Sequence, residues 1–407
     1  MKKLRVIYAG WGEHWQLGTL ADTGQTLLFE YSAEALAQGL ELSPRHLKLR
    51  SAAYGDFPEH LMRLPGFVAD ALPDGWGLLL MDRLLRRQGH DPRRLSPLDR
   101  LGFVGHRGMG ALVFEPEMDE ALEPADVELR VLAEQSQQVL VDVDTQALRQ
   151  LALMGGSPQG ARPKVLVHRN RAAGSMGTTA TPDTQAWIIK FQARGEHPET
   201  CAVEALYAVL ARECGLDMPE TGYFDLGGGL SGFGARRFDV HEGLRVPMLT
   251  LAGLLHADFR LPQLDYLTFL RATTFLTRDV RETARAFERA VFNVLFHNRD
   301  DHGKNFSFRL DAQRRWRLSP AYDLTFNEGA GGEHAMDVGG HGSGIARAHL
   351  LALARQADLS AAMATEAIDR MRGVAAGFSA VAGGFAIRQR TVQAMHKRVS
   401  ANSVLLG

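Results

Sequence analysis

Phe296-His297-Asn298-Arg299-Asp300-Asp301-His302-Gly303-Lys304-Asn305-Phe306-Ser307-Phe308 is the stretch on which the reading of the chain turns. It sets a dense group of polar, chemically able side chains between apolar ends. Before it, Ala284, Phe287, Val291, Val294 and Leu295 recur at helical spacing, which predicts a core-facing helix over about 283–297. After it, Phe306, Phe308 and Leu310 alternate with Ser307 and Arg309, the period of a half-buried strand. A polar loop held between a packed helix and a strand is rigid enough to position catalytic groups.

The chemistry this loop suggests is phosphoryl transfer. Asp300 and Asn305 have the Asp-x-x-x-x-Asn spacing of a kinase catalytic loop, in which the Asp takes the proton of the attacking hydroxyl and the Asn oxygen holds Mg²⁺. Downstream, Arg317-Leu318-Ser319-Pro320-Ala321-Tyr322-Asp323 reads as a strand running into a turn. Asp323 would supply the second hard-oxygen ligand that Mg²⁺ between phosphates needs. Taken alone, Asp-Asp-His is equally a turn with solvated charges. The spacing gains meaning from the helix before it, the strand after it and Asp323 beyond.

Composition sets limits. A chain of 407 residues has room for two or three domains, and 45% hydrophobic with 23% charged residues is the balance of a globular protein. With 46 Lys+Arg against 47 Asp+Glu, nothing predicts autonomous nucleic-acid binding. Cys201 and Cys214 cannot form a disulfide framework and read as small buried hydrophobes on one helix. The N-terminal residues are too short in apolar length for a signal peptide, and no run approaches ~18 apolar residues, so a cytoplasmic protein with no membrane contact is expected.

Residues 1–115 read as a small mixed α/β domain. Leu4–Tyr8 is a strand, Leu17–Leu20 and Leu27–Tyr31 a hairpin turning at Asp22-Thr23-Gly24-Gln25, and Asp74 the N-cap of a helix running to about Gln88. Four glycines between 102 and 110 read as packing and turns. Residues 115–145, acidic and then helical in pattern, mark a boundary.

Beyond it comes Met154-Gly155-Gly156-Ser157-Pro158-Gln159-Gly160-Ala161-Arg162-Pro163-Lys164, leading into the strand Val165-Leu166-Val167. A glycine-rich loop entering a strand is how a kinase covers ATP phosphates; a surface turn is the alternative. Ala186-Trp187-Ile188-Ile189-Lys190-Phe191 is an apolar strand broken by one lysine, which needs an anion if buried. The next helix, about Glu199 to Cys214, offers Glu204, and a strand Lys paired with a helix Glu is a kinase arrangement. Phe233–Asp239 would link two lobes, where an adenine ring sits. Arg162 and Pro163, like the pairs Arg86-Arg87 and Arg93-Arg94, read as solvated surface.

At this point the chain resembles the HipA family of bacterial serine/threonine kinases, the toxin half of HipBA-type toxin–antitoxin modules. The matching pieces are Leu-Pro-Asp-Gly-Trp-Gly at 72–77, Arg-Gly-Met-Gly-Ala-Leu at 107–112, Ser-Pro-Gln-Gly-Ala-Arg-Pro-Lys at 157–164, Ile-Lys-Phe at 189–191, Arg-Phe-Asp at 237–239, Asn-Arg-Asp-Asp-His-Gly-Lys-Asn at 298–305 and Ser-Pro-Ala-Tyr-Asp at 319–323. The resemblance implies an α+β, two-lobed protein-kinase-like fold. Residues 1–115 would be the N-terminal subdomain, 116–240 the part with the glycine-rich loop, and 241–407 a mostly helical C-terminal lobe. It implies ATP and Mg²⁺, with Asp300 as the catalytic Asp, Asn305 and Asp323 as metal ligands and Lys190 on the phosphates. Gly156, Ser157, Gly160, Lys164, Glu204, Arg237, Phe238 and Lys304 would complete the nucleotide site, with His302 supporting the loop or meeting the γ-phosphate. Ser157 aligns with the serine that such kinases autophosphorylate to shut themselves off. The implied partners are a helix-turn-helix antitoxin (HipB-like), which carries the DNA affinity, and a protein substrate such as an aminoacyl-tRNA synthetase or another translation factor. One departure is Arg236, where relatives often carry an acidic residue before Arg-Phe-Asp.

Rival readings use the same loop. His297, Asp300, Asp301 and His302 could ligate metals in a phosphohydrolase, helped by His334 and His341. Asp-x-His-x-x-Asn also resembles the loop of lipid kinases, and a catalytically silent antitoxin-binding subunit is a third possibility. Residues 331–344 read as a mobile segment after the metal-binding Asp, followed by helices at about 347–357, 360–373 and 385–400.

Overall fold

An antiparallel five-stranded sheet opens the chain, and a computed structural model describes residues 1–118, 122–139, 145–155 and 158–407. The sheet order is Ala53–Tyr54, Leu27–Tyr31, Trp15–Asp22, Lys2–Tyr8, Leu112–Glu115. The Asp22–Gln25 turn joins the second and third strands as expected. Gly24 sits at φ +88, and Asp22 Oδ1 accepts its N–H at 2.7 Å. Glycine adopts that conformation without a Cβ penalty, so the hairpin closes tightly. Helix Gly75–Arg87 follows and buries Trp76, Leu80, Met81, Leu84 and Leu85.

The second sheet has six antiparallel strands, ordered Thr221–Gly227, Leu230–Arg236, Thr184–Phe191, Lys164–Asn170, Met176–Gly177, Asp126–Val127. Helix Glu199–Glu213 packs on it through Cys201, Ala205 and Ala208 against Phe233, and it ends at Gly215, φ +82. Both cysteines are free and buried. The strand expected over 233–239 stops at Arg236. Arg237 turns its guanidinium onto Asp239, two residues on, and this pair closes a turn instead.

The C-terminal lobe is built on helix Val280–Leu295. Asp279 caps it, accepting the Arg281 N–H at 3.0 Å, and Phe287, Val291, Phe292 and Leu295 are fully buried. Each such side chain is worth roughly 1.5–3 kcal/mol of burial. The Phe292 and Phe296 rings stack at 4.6 Å, and Tyr207 of the sheet-bound helix donates its hydroxyl to the Phe296 carbonyl at 2.5 Å. That contact joins the two lobes behind the cleft. Helices Tyr266–Thr277, Arg347–Gln356, Ala361–Ala376 and Gln389–Leu405 complete the lobe. The last begins later than its pattern suggests because Glu199 holds the Arg388 N–H at 2.9 Å and keeps that residue extended. A three-stranded sheet, Met248–Thr250, Ser307–Leu310, Trp316–Leu318, carries the catalytic-loop stretch. Its central strand is not half-buried: Ser307 is enclosed as fully as Phe308, and its hydroxyl pairs with Tyr322. The whole is an α+β protein with two lobes and a small N-terminal α/β part. No helix among the described residues is long and apolar enough to cross a membrane.

The N-terminal part meets the C-terminal lobe at His256. Its Nε2 accepts the Gly66 N–H at 3.0 Å, its carbonyl meets His60, and its ring stacks on His46 at 3.8 Å. Burial, followed by the neighbouring His46, His60 and Arg45, pushes the His256 pKa down to about 4. An unfolded histidine near 6.5 takes its proton first, so acidification from about pH 6.5 toward 4 favours unfolding. The thermal midpoint should therefore fall over this range, and fall less in His256→Asn, which tolerates the left-handed backbone at φ +54 and keeps an acceptor. Equal slopes for both proteins in a pH-resolved melting series would contradict this.

Candidate active site

The helix-to-strand loop folds as a tight knot. His297 takes φ +58 and reverses the chain, and Asn298 returns its backbone N–H and its side-chain amide to Asn293, each at 2.9 Å. Asn305 donates its side-chain amide to the Asp300 carbonyl at 2.6 Å, and its backbone N–H to the His302 carbonyl at 2.9 Å. The amide nitrogen is thus consumed within the loop, and the amide oxygen is the atom a metal could take. The Asp300 carboxylate is half exposed, with His302 Nε2 3.8 Å away. Burial raises the Asp300 pKa, His302 opposes the rise, and Asp323 adds to it. A carboxylate whose proton affinity is raised in this way is a better general base.

Facing the loop is a cluster of buried charge. Lys164 and Lys190 are directly paired across adjacent strands, so both side chains leave the same face of the sheet. Two ammonium groups so placed repel unless anions intervene. Lys190 meets Glu204 at 3.0 Å and also bonds Asp323, while Arg162 meets Glu204 at 2.5 Å. Glu204 is only 2% exposed. Burial opposes the Lys190 charge, but Asp323 and Glu204 outweigh it and raise its pKa. Burial likewise opposes the Asp323 charge, and Lys190 with Lys164 holds that carboxyl far below its usual range. Among the described residues, Lys164 has no carboxylate ion-pair partner of its own. Its ammonium donates to the Gln159 carbonyl, and burial with the nearby Lys190 lowers its pKa to about 8. Asp323 sits at φ +56, a left-handed backbone that costs most residues about 1–2 kcal/mol and that Asp tolerates. An ionised Asp323 carboxylate and the Asn305 amide oxygen are both hard-oxygen donors, the set that suits Mg²⁺.

The other expected site residues fall as follows. Gly160 and Lys304 both reach Asp74 of the N-terminal part. The Lys304 ammonium also lies 4.2 Å over the Phe259 ring, and His302 packs on the same ring at 5.3 Å. The Phe238 ring lies 5.5 Å from that of Tyr322, whose hydroxyl donates to the Lys304 carbonyl at 2.7 Å. Arg237 does not turn into the cleft. It is spent on Asp239, whose carboxylate also accepts the Gly110 N–H at 2.8 Å. Gly156 and Ser157 lie outside the described residues.

Three residues near the loop take partners that their local sequence did not suggest. Arg162 reads as surface but is bound to Glu204, and Asp74 reads as a helix cap but faces the cleft. Asp301 is fully buried and accepts from Tyr266 at 2.6 Å, from His334 Nδ1 at 2.7 Å and from the Ala335 N–H at 2.8 Å. It thereby pins the middle of the segment expected to be mobile. Of the ligands in the rival metal reading, Asp301 and His334 are thus bonded to each other, while His297 and His341 are engaged elsewhere. His297 turns to Glu328 at 3.0 Å, and His341 stacks on His349 at 3.9 Å. Among the described residues no three His, Cys, Asp or Glu side chains converge on one point.

An α+β chain with a lysine–glutamate–aspartate cluster facing an Asp-x-x-x-x-Asn loop has the layout of a two-lobed kinase-like protein. The family model described as the HipA-like C-terminal domain matches residues 156–378, and the model described as the HipA N-terminal domain matches residues 9–115. The first alone spans more than half of the chain, which belongs to the HipA family. A Sinorhizobium fredii protein named "Putative kinase Y4dM" is 26% identical over 283 residues, covering 66% of this chain. The match spans 63% of that relative's length. The HipA structure solved in complex with HipB and operator DNA from Shewanella oneidensis superposes with a TM-score of 0.74, at 17% identity, over 99% of this chain and 97% of that one. That likeness shows a shared fold.

Asp301→Asn should destabilise the protein by about 1–3 kcal/mol, because an amide nitrogen would face one of three buried donors. Hydrogen exchange over residues 329–341 should rise with it. Unchanged stability and protection would remove Asp301 from this anchoring role.

Proposed function

We propose that the chain is an ATP-dependent serine/threonine protein kinase and the toxin of a HipBA-type toxin–antitoxin pair. The observation that carries this reading is Lys190, which meets Glu204 and Asp323 in one cluster opposite Asp300 and Asn305. ATP would lie between the lobes against Lys190 and Lys164, with its base near Phe238 and Mg²⁺ held by Asn305 and Asp323. Bound there, Mg²⁺ would neutralise phosphate charge. Lys190 keeps its charge through Glu204, so it can orient phosphate oxygens without losing its counter-ion. Asp300 orients a Ser or Thr hydroxyl for in-line attack and takes up its proton. His302 and Lys304 border the same space, Lys304 as a point charge for the phosphoryl group in transfer.

The curated relative named a kinase supports the activity, and the neighbour solved with HipB and DNA supports a helix-turn-helix antitoxin as partner. Through that antitoxin the complex would reach DNA. A net charge of −1 leaves the chain little affinity of its own. The acceptor would be a translation component such as an aminoacyl-tRNA synthetase. Phosphorylation of Ser157 would add roughly −1.5 to −2 charge to the loop meant to cover ATP and so switch the enzyme off.

Asp300→Asn should lower phosphate transfer from labelled ATP by roughly 10²–10⁴-fold while leaving the melting temperature intact. Full activity in that variant would remove the general-base role. Incubation with Mg-ATP should add the mass of one phosphate to the wild type and none to Ser157→Ala; an unmodified wild type would refute the switch.

A further inference from the structure

Helix Gly75–Arg87 begins at Asp74, yet the Asp74 carboxylate caps nothing. It turns into the cleft instead. One oxygen accepts the Gly160 N–H, and the other accepts from Lys304 Nζ at 2.8 Å. One carboxylate of the N-terminal part thus holds both the segment leading into the Lys164 strand and the lysine of the Asp300 loop. Neighbouring bonds run the same way. Trp76 donates its backbone N–H to the Gly160 carbonyl and its indole N–H to the Lys164 carbonyl, each at 3.1 Å, and Gln159 donates to the Asp70 carbonyl at 3.1 Å. Close approach is built in, since a Cβ on Gly75 would lie 2.8 Å from both Ala161 Cα and the Gly160 carbonyl oxygen. Asp74 and Lys304 are 18% and 15% exposed, so solvent screens their pair only weakly.

We infer that Asp74 is a positioning residue for phosphoryl transfer, supplied from outside the two lobes that bind the nucleotide. It fixes residues 158–161 as a roof over the phosphates and aims the Lys304 ammonium, so the N-terminal domain is a working part of the nucleotide site. The geometry favours this over a plain interdomain tie. A tie would use surface charge anywhere on the junction, whereas both Asp74 partners belong to segments that border the phosphates. The inference rests on the kinase reading above.

Steady-state kinetics of Asp74→Ala and Asp74→Asn, with melting curves as the folding control, test it. The full chain is used throughout. Loss of a charge-assisted bond should raise the KM for ATP roughly 10- to 100-fold in Asp74→Ala, and less in Asp74→Asn, which keeps one acceptor. A merely structural role would lower the active fraction and leave KM unmoved. Because Asp74 and Lys304 act as one unit, Asp74→Ala/Lys304→Met should lose no more than the worse single variant. Unchanged KM, or losses that simply add, would overturn the assignment. Hydrogen exchange at residues 158–163, read without nucleotide, separates this result from failure of the kinase reading. A wild type that neither binds ATP nor transfers phosphate overturns that reading and the catalytic half of the inference. Unaltered exchange in Asp74→Ala overturns the clamp itself.

Discussion

A lysine ammonium cannot be taken out of water without counter-charge, and most of this molecule's arrangement follows from meeting that demand at Lys190. The central strand of the six-stranded sheet carries Lys190 inward. Glu204 must come to it from the neighbouring helix, and Asp323 from the C-terminal lobe. Sheet, helix and lobe are therefore drawn to one point. The second lysine on the same face, Lys164, makes the demand sharper, and Arg162 adds a third cation served by the same glutamate. The hydrophobic core supplies the bulk of the stability, while this cluster fixes how the lobes face each other.

Much of that was legible in the chain. Helix Val280–Leu295, the polar loop and strand Ser307–Leu310 announce themselves because their apolar periods change from helical to alternating around a run of charged residues. The pairing of Lys190 with Glu204 could be read because both lie in strongly patterned elements close in sequence. Asp323 could be read because a strand delivers it to a turn. What could not be read shares one property: its partners are distant in sequence. Asp74 satisfies the local grammar of a helix start so well that nothing hints at Gly160 or Lys304. Arg162 sits among glycines and a proline, the composition of a surface turn, and only the fold brings Glu204 beneath it.

Asp301 and His334 show the opposite error. Their residue types invite a metal, yet the fold uses the carboxylate as a buried acceptor for three donors. The pattern Asp-Asp-His holds two neighbouring acids with unlike tasks. Asp300 faces the cleft half exposed, and Asp301 faces the core, where it ties the loop to the segment after Asp323. Adjacent residues in an irregular loop can diverge this far because no helical or strand period forces them onto related faces.

The Glu204 helix is bolted down at three places. Glu199 at its start is tied to Arg388, just before the last helix, Glu204 is shared by two cations, and Tyr207 is bonded to the backbone behind the Asp300 loop. Kinases that are controlled by tilting this helix away from the strand lysine need it to be a lever. Here it is a rivet, so an off-state made by swinging it outward would break all three fastenings at once.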